Sequence, residues 1–221
     1  MRQGPPTGRP TTPPGQSLST PRMAGLAGVL FAILLAGAIV LARIALPEGG
    51  GAARVAITSG QRDAVTAAVE LVPFAGIAFL WFMGALRAHG GDAEDRFVST
   101  VFLGSGLVFV ACLFGAAAAA GTVLDADQPQ DFGRHFSYTL LTTYAMRMAA
   151  VFVLATSTIG RRLGVFPRPL VLLGTLAGLV LLVVGSSVPW SELVFPAWAL
   201  IISVYVLKSG LAAPRPPGPA A

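Results

Sequence analysis

Charge is scarce in this chain. Only 11% of its 221 residues are Asp, Glu, Lys or Arg and 54% are hydrophobic, which leaves too little polar surface to coat a soluble domain of this length. Cysteine is limited to Cys112, so no intramolecular disulfide can form and the redox compartment stays unspecified; the residue reads as a small core side chain. Histidine is limited to His89 and His135, in loops outside every apolar run, which removes the usual means of holding a haem between helices. GxSxG, HExxH, a Walker loop and CxxC are all missing, so no short pattern marks a catalytic site. Scattered Asp and Arg residues can still serve a membrane enzyme, but no cofactor is expected.

What the chain has is long apolar runs: Met23 to Ala42, Leu71 to Leu86, Phe97 to Ala120, Phe136 to Gly160, Leu170 to Val188 and Leu193 to Leu207. A bilayer core of ~30 Å takes about 20 helical residues, and the runs reach or approach that length. The expected fold is therefore all-α, an integral membrane bundle of six transmembrane helices spanning about 23–46, 64–86, 97–120, 136–160, 169–188 and 190–207. The first run is too long for the apolar part of a signal peptide and reads as a retained span. Residues 1–22 and 209–221, rich in Pro, Gly and small polar residues, are expected to be disordered tails around a membrane domain at 23–208.

Fourteen of the fifteen basic residues are Arg, and their distribution orients the bundle. With the amino terminus inside, ten face the cytoplasm (Arg2, Arg9, Arg22, Arg87, Arg96, Arg161, Arg162, Arg168, Lys208 and Arg215) and four face out (Arg43, Arg54, Arg62 and Arg134). Both termini are thus expected to be cytoplasmic, in the plasma membrane. The net charge of +5 is a topology signal. Scattered over short loops without interleaved aromatics, it offers no nucleic-acid footprint.

Small residues recur at helix-contact spacing: Ala24, Gly28, Ala32 and Ala36, then Ala111, Gly115 and Ala119, then Gly174 and Gly178. They are expected to serve packing within the chain, with a homo-oligomer or a larger membrane complex as the other use. Arg147 lies about 16 Å along the helix from Phe136, near the middle of its span. Exposure to lipid at that depth costs ~2.5–3.5 kcal/mol or more. It is therefore expected to face the bundle, in a polar stripe with Thr143 and Tyr144. Glu70, before the second apolar run and inside the span built on it, is a candidate partner for Arg147 or for Arg43. Pro73 frees the carbonyl of Val69 beside it, making a kink where a cation or proton is a possible occupant. A structural ion pair is the plainer reading.

Outside the membrane, "VLDADQPQDFGRHF" brings Asp125, Asp127, Asp131 and His135 into one loop, a donor set suited to a divalent cation. It lacks the Gly and distal Glu of a calcium loop, and a solvated acidic turn explains it as well. On the opposite side, "RAHGGDAEDRF" reads as helix termination at Gly90 and Gly91 followed by Asp92, Glu94 and Asp95 near the positive end of the next helix.

The stretch Val72 to Phe114, with "PFAGIAFLWF", "EDRF" and "FLGSGL", resembles a group of bacterial, largely actinobacterial, membrane proteins sharing a PFxGIAFLWF…EDRF…FLGSGL block. The resemblance covers about a fifth of the chain and implies a polytopic membrane protein; no activity comes with it.

Three functions remain in play. The leading one is a non-enzymatic structural or accessory membrane component with Glu70 and Arg147 in a buried polar network. The others are a small-solute or ion transporter or channel using those two residues, and a membrane enzyme with an extracytoplasmic Asp/His metal site.

Overall fold

The computed structural model describes residues 20–45, 58–88, 96–124, 130–184 and 188–212. Every regular element among them is helical: α1 (Thr20–Ala45), α2 (Ser59–Ala88), α3 (Arg96–Thr122), α4 (Gln130–Thr139), a π-helical segment (Leu140–Ala145), α5 (Met146–Arg162), α6 (Arg168–Val183), a 3₁₀ turn (Ser191–Leu193) and α7 (Val194–Ala212). Five stretches are long and apolar enough to cross a membrane, counting α4, the π segment and α5 as one; α6 is shorter at 16 residues. The chain is a helical membrane protein. The greater parts of the two terminal tails lie outside the described residues, but Thr20 to Arg22 belong to α1 and residues 209–212 to α7.

Local chemistry sets the helix ends. α2 starts several residues before its apolar run because Thr58 and Gln61 cap it reciprocally. The Gln61 amide donates to Thr58 Oγ1 at 3.3 Å and the Thr58 amide to Gln61 Oε1 at 3.1 Å. Arg62 then donates to the Leu124 carbonyl at 2.7 Å, tying the start of α2 to the end of α3. At the other end of the bundle, Gly164 takes φ +66° after α5, the left-handed conformation that lets a helix stop in one residue. Pro167 and Pro169 then start α6 where no amide donor is required.

Packing centres on rings. Phe31 of α1, Phe79 of α2, Phe109 of α3, Phe152 of α5 and Phe195 of α7 are all fully buried. Their centroids lie 4.9 Å (Phe31–Phe79), 5.0 Å (Phe79–Phe109), 5.0 Å (Phe79–Phe152) and 5.0 Å (Phe109–Phe195) apart. Trp198 stacks on Phe195 from below in the same helix. Five helices thus meet in one aromatic plug, each edge-to-face or tilted pair adding about 0.5–1.5 kcal/mol beyond its area. The outer surface is as apolar as the inside: Leu30, Ile33, Phe74, Ile77, Trp81 and Leu176 are all exposed, as a bilayer requires.

Small residues are spent inside the protomer. A side chain at Gly28 would overlap Ser203 Oγ and the Phe82 ring, and one at Gly178 would strike Leu154 and come within 3.2 Å of the Ala150 carbonyl. These contacts bring α1 against α7 and α5 against α6, as the small-residue spacing suggests.

The π segment alters the phase of the fourth span. Gly133 and Ser137 are buried on α4; continued at helical period, that face would reach Tyr144 and then residues 147–148. The π turn holds one extra residue, and the buried positions within it and just after it are Thr142, Ala145, Met146, Ala149 and Ala150. Thr142 Oγ1 donates to the Tyr138 carbonyl at 2.9 Å within this turn. Arg147 is thereby rotated outward and is exposed. This corrects the expectation that it faces the bundle.

Gly178→Leu is expected to push α6 off α5 and to lower stability by about 1–3 kcal/mol or more, read as a fall in midpoint of thermal unfolding in detergent. Gly104→Leu, at a position where an added Cβ meets nothing within 4 Å, is the matched control and should leave the midpoint near that of the parent.

Candidate functional site

Among the described residues the buried carboxylate is that of Glu192, which is not among the site residues expected from the sequence. Trp190, at φ 69°, reverses the chain after α6 in a left-handed conformation that costs a non-glycine residue roughly 1–2 kcal/mol. The short 3₁₀ turn that follows directs Glu192 inward, leaving it 1% exposed. Arg43, near the end of α1, donates through Nη2 to Glu192 Oε1 at 2.6 Å. The Arg43 guanidinium also lies over the Tyr138 ring of α4, 5.6 Å from its centroid, a cation–π contact. One arginine therefore joins three elements far apart in sequence. Glu192 Oε2 is buried without a hydrogen-bond partner.

The other expected site residues are distributed differently. Glu70 and Arg147 are both exposed, and among the described residues no ion pair or hydrogen bond joins them. Tyr144 is exposed beside Arg147 and Thr143 is half-buried, so the expected polar stripe exists but looks outward. Pro73 is inside α2 and also exposed, on the same outer side as Glu70. Arg43 is the member that enters a buried pair, and its carboxylate is Glu192 instead of Glu70. The reason is positional: Glu70 faces away from the core on α2, whereas the turn at residues 191–193 brings Glu192 under the end of α1. Of the loop donors, Asp125 and Asp127 and the side chain of Asp131 lie outside the described residues, and His135 is exposed. No group of three metal-ligating side chains occurs among the described residues.

Arg147 needs no buried partner once its depth is measured from the other end. At the basic end, Arg87 is gathered with Gly160, Leu163, Phe166 and Val206 around one groove, so the ends of α2, α5 and α7 meet there. Arg147 is fifteen residues from Arg162, or about 22 Å along the helix. A hydrocarbon core of ~30 Å registered on the basic end leaves it only some 8 Å below the opposite boundary. The span itself, Phe132–Arg162, has 31 residues and overshoots that core, so its midpoint is not the bilayer midplane. The contact between Gly178 and Ala150 also places Arg147 level with the last turn of α6, where the chain leaves the helix for the surface. Helical side chains lean towards the amino-terminal end, and an arginine at such a depth is long enough to snorkel to the interface.

Cavities are small. One of about 40 Å³ lies between Ala38, Val72, Leu113 and Leu141, with Ser137 as its polar lining residue, and the Ser137 hydroxyl is already donated to the Ala116 carbonyl at 2.8 Å. Such a space offers water too few partners to order it.

Comparison with protein-family models, with curated proteins and with solved structures finds no match. The class the fold and the charges define is a multi-pass helical membrane protein, in which the described residues include a buried ion pair between Arg43 and Glu192.

Glu192→Gln removes the buried carboxylate that Arg43 donates to and is expected to cost about 3–5 kcal/mol of stability, with the double variant Arg43→Leu/Glu192→Leu recovering much of the loss. Arg147→Leu should lie within about 1 kcal/mol of the parent, the range of an exposed charge. Thermal unfolding in detergent ranks the four proteins; a larger loss in Arg147→Leu than in Glu192→Gln would reverse the assignment.

Proposed function

We propose that this chain is a non-enzymatic structural or accessory component of a bacterial plasma membrane, with both termini cytoplasmic. The observation that carries the reading is the aromatic plug. Phe31, Phe79, Phe109, Phe152 and Phe195 close the centre of the bundle completely, while Arg43 and Glu192 are engaged with each other. A conduction path needs polar groups converging on a water-filled cavity, and the space between Ala38, Val72, Leu113 and Leu141 is small and apolar, with neither member of the pair in its lining. The transporter reading built on Glu70 and Arg147 loses its support because both face outward. Orientation rests on the ten-to-four distribution of basic residues.

The test is flux in proteoliposomes. Proton, sodium and potassium movement with the parent protein is expected to equal that of empty vesicles. Flux above that background, abolished in Glu192→Gln molecules that remain folded, would overturn the structural reading. Orientation is checked separately by single cysteines in a Cys112-free background. Ala126→Cys should react with an impermeant maleimide in intact cells and Ala93→Cys should not.

A further inference from the structure

We infer that the groove at the basic end of the bundle seats a short stretch of an acyl chain of an anionic glycerophospholipid, with the phosphate held by Arg87. The groove opens between the ends of α2, α5 and α7 and the α5–α6 turn, and has a volume of about 50 Å³. Its walls are apolar, formed by Leu86, Phe102, Ile159, Leu163, Phe166 and Val206. The one hydroxyl on its floor, Thr156 Oγ1, already donates to the Phe152 carbonyl at 2.7 Å. A polar ligand would find no free partner inside; a hydrocarbon chain loses nothing there.

The rim supplies the other half of the match. Arg87 lines the groove and is exposed, and among the described residues it has no ion-pair partner. The chain segments converging on this end carry Arg87, Arg96, Arg161, Arg162, Arg168 and Lys208 against Asp92, Glu94 and Asp95. Positive charge is therefore in excess even with the acids of the connecting segment included. Arg87 is the cation placed at the boundary between apolar walls and open solvent, where a lipid has its phosphate. An apolar slot ending in a basic residue at the interface is the geometry of an anionic headgroup site. The structure holds the slot in place with Phe166, which packs edge-on against the Tyr205 ring at 6.2 Å, while its amide donates to the Gly160 carbonyl at 3.2 Å.

The experiment uses the full chain purified in a neutral detergent and native mass spectrometry. Phosphatidylglycerol and phosphatidylcholine with identical acyl chains are compared, and glycerol 3-phosphate serves as the headgroup alone. The parent is expected to retain phosphatidylglycerol about fivefold better, the effect of roughly one basic residue at a membrane surface. Arg87→Gln should bring the two lipids level, Val206→Trp should reduce both by filling the slot, and glycerol 3-phosphate should not be retained. Equal retention of the two lipids by the parent overturns the proposal, as does an unchanged preference in Arg87→Gln. Retention of glycerol 3-phosphate to the same degree as the lipid would show a surface charge site without a chain slot and overturn it too. Should Val206→Trp fail to fold, the Arg87→Gln comparison decides alone.

Discussion

Hydrocarbon offers no hydrogen bonds, and most features of this bundle follow from that. Every backbone amide and carbonyl in a span must be satisfied within the protein, which leaves helices as the only structure these apolar runs can adopt. The same constraint explains the hydroxyls. Thr156, Ser157, Thr158, Thr175 and Ser203 each donate to the carbonyl four residues earlier in their own helix, so they enter the core without asking anything of a neighbour. Helix association then depends on close packing, since lipid tails are as apolar as the side chains they would replace. Glycines supply the close approach and the rings of five helices fill the centre.

Charges obey the constraint in three ways. Glu192 is buried and meets Arg43 directly. Arg147 turns outward near a boundary and relies on its own length. Arg87, Arg161, Arg162 and Lys208 are at one end and Arg62 at the other, where it donates to the Leu124 carbonyl; helix ends are where water and headgroups are available. The buried pair is not a simple gain in stability, because desolvating two ions offsets much of their attraction. Its use is positional: it fixes the start of α7 against the end of α1 while Arg43 also covers Tyr138. Loss of either partner is therefore costly, although replacing both need not be.

The length of α6 links packing to depth. At 16 residues it is about 24 Å long, shorter than a typical ~30 Å hydrocarbon core, and it is packed along α5 through Gly174 and Gly178. Where α6 ends, the chain must reach the surface through Val188 to Trp190, and exposed Trp190 suits an interface. The long fourth span beside it continues past that level. The bundle therefore has unequal heights on its two sides, and the depth of Arg147 depends on the end of its long span that is registered on the bilayer.

By itself the sequence determined the all-helical class and the places of the apolar runs, because hydrophobic run length is a local property; of the six spans expected, five are long and apolar enough to cross a membrane and α6 is shorter. It also marked the small-residue faces that pack within the protomer, and it named Arg43, though only as a candidate partner for Glu70. The partner was hidden because pairing depends on which turn lies beneath which helix end: Glu192 is 149 positions from Arg43 and looks, in sequence, like the polar edge of a span. The facing of Arg147 was hidden for another reason. A single extra residue in the π segment rotates everything after it, and no pattern of apolar residues in "LLTTYA" signals that insertion. Tertiary structure alone decided both, since each is settled by the relative phase and height of packed helices, which local composition does not encode.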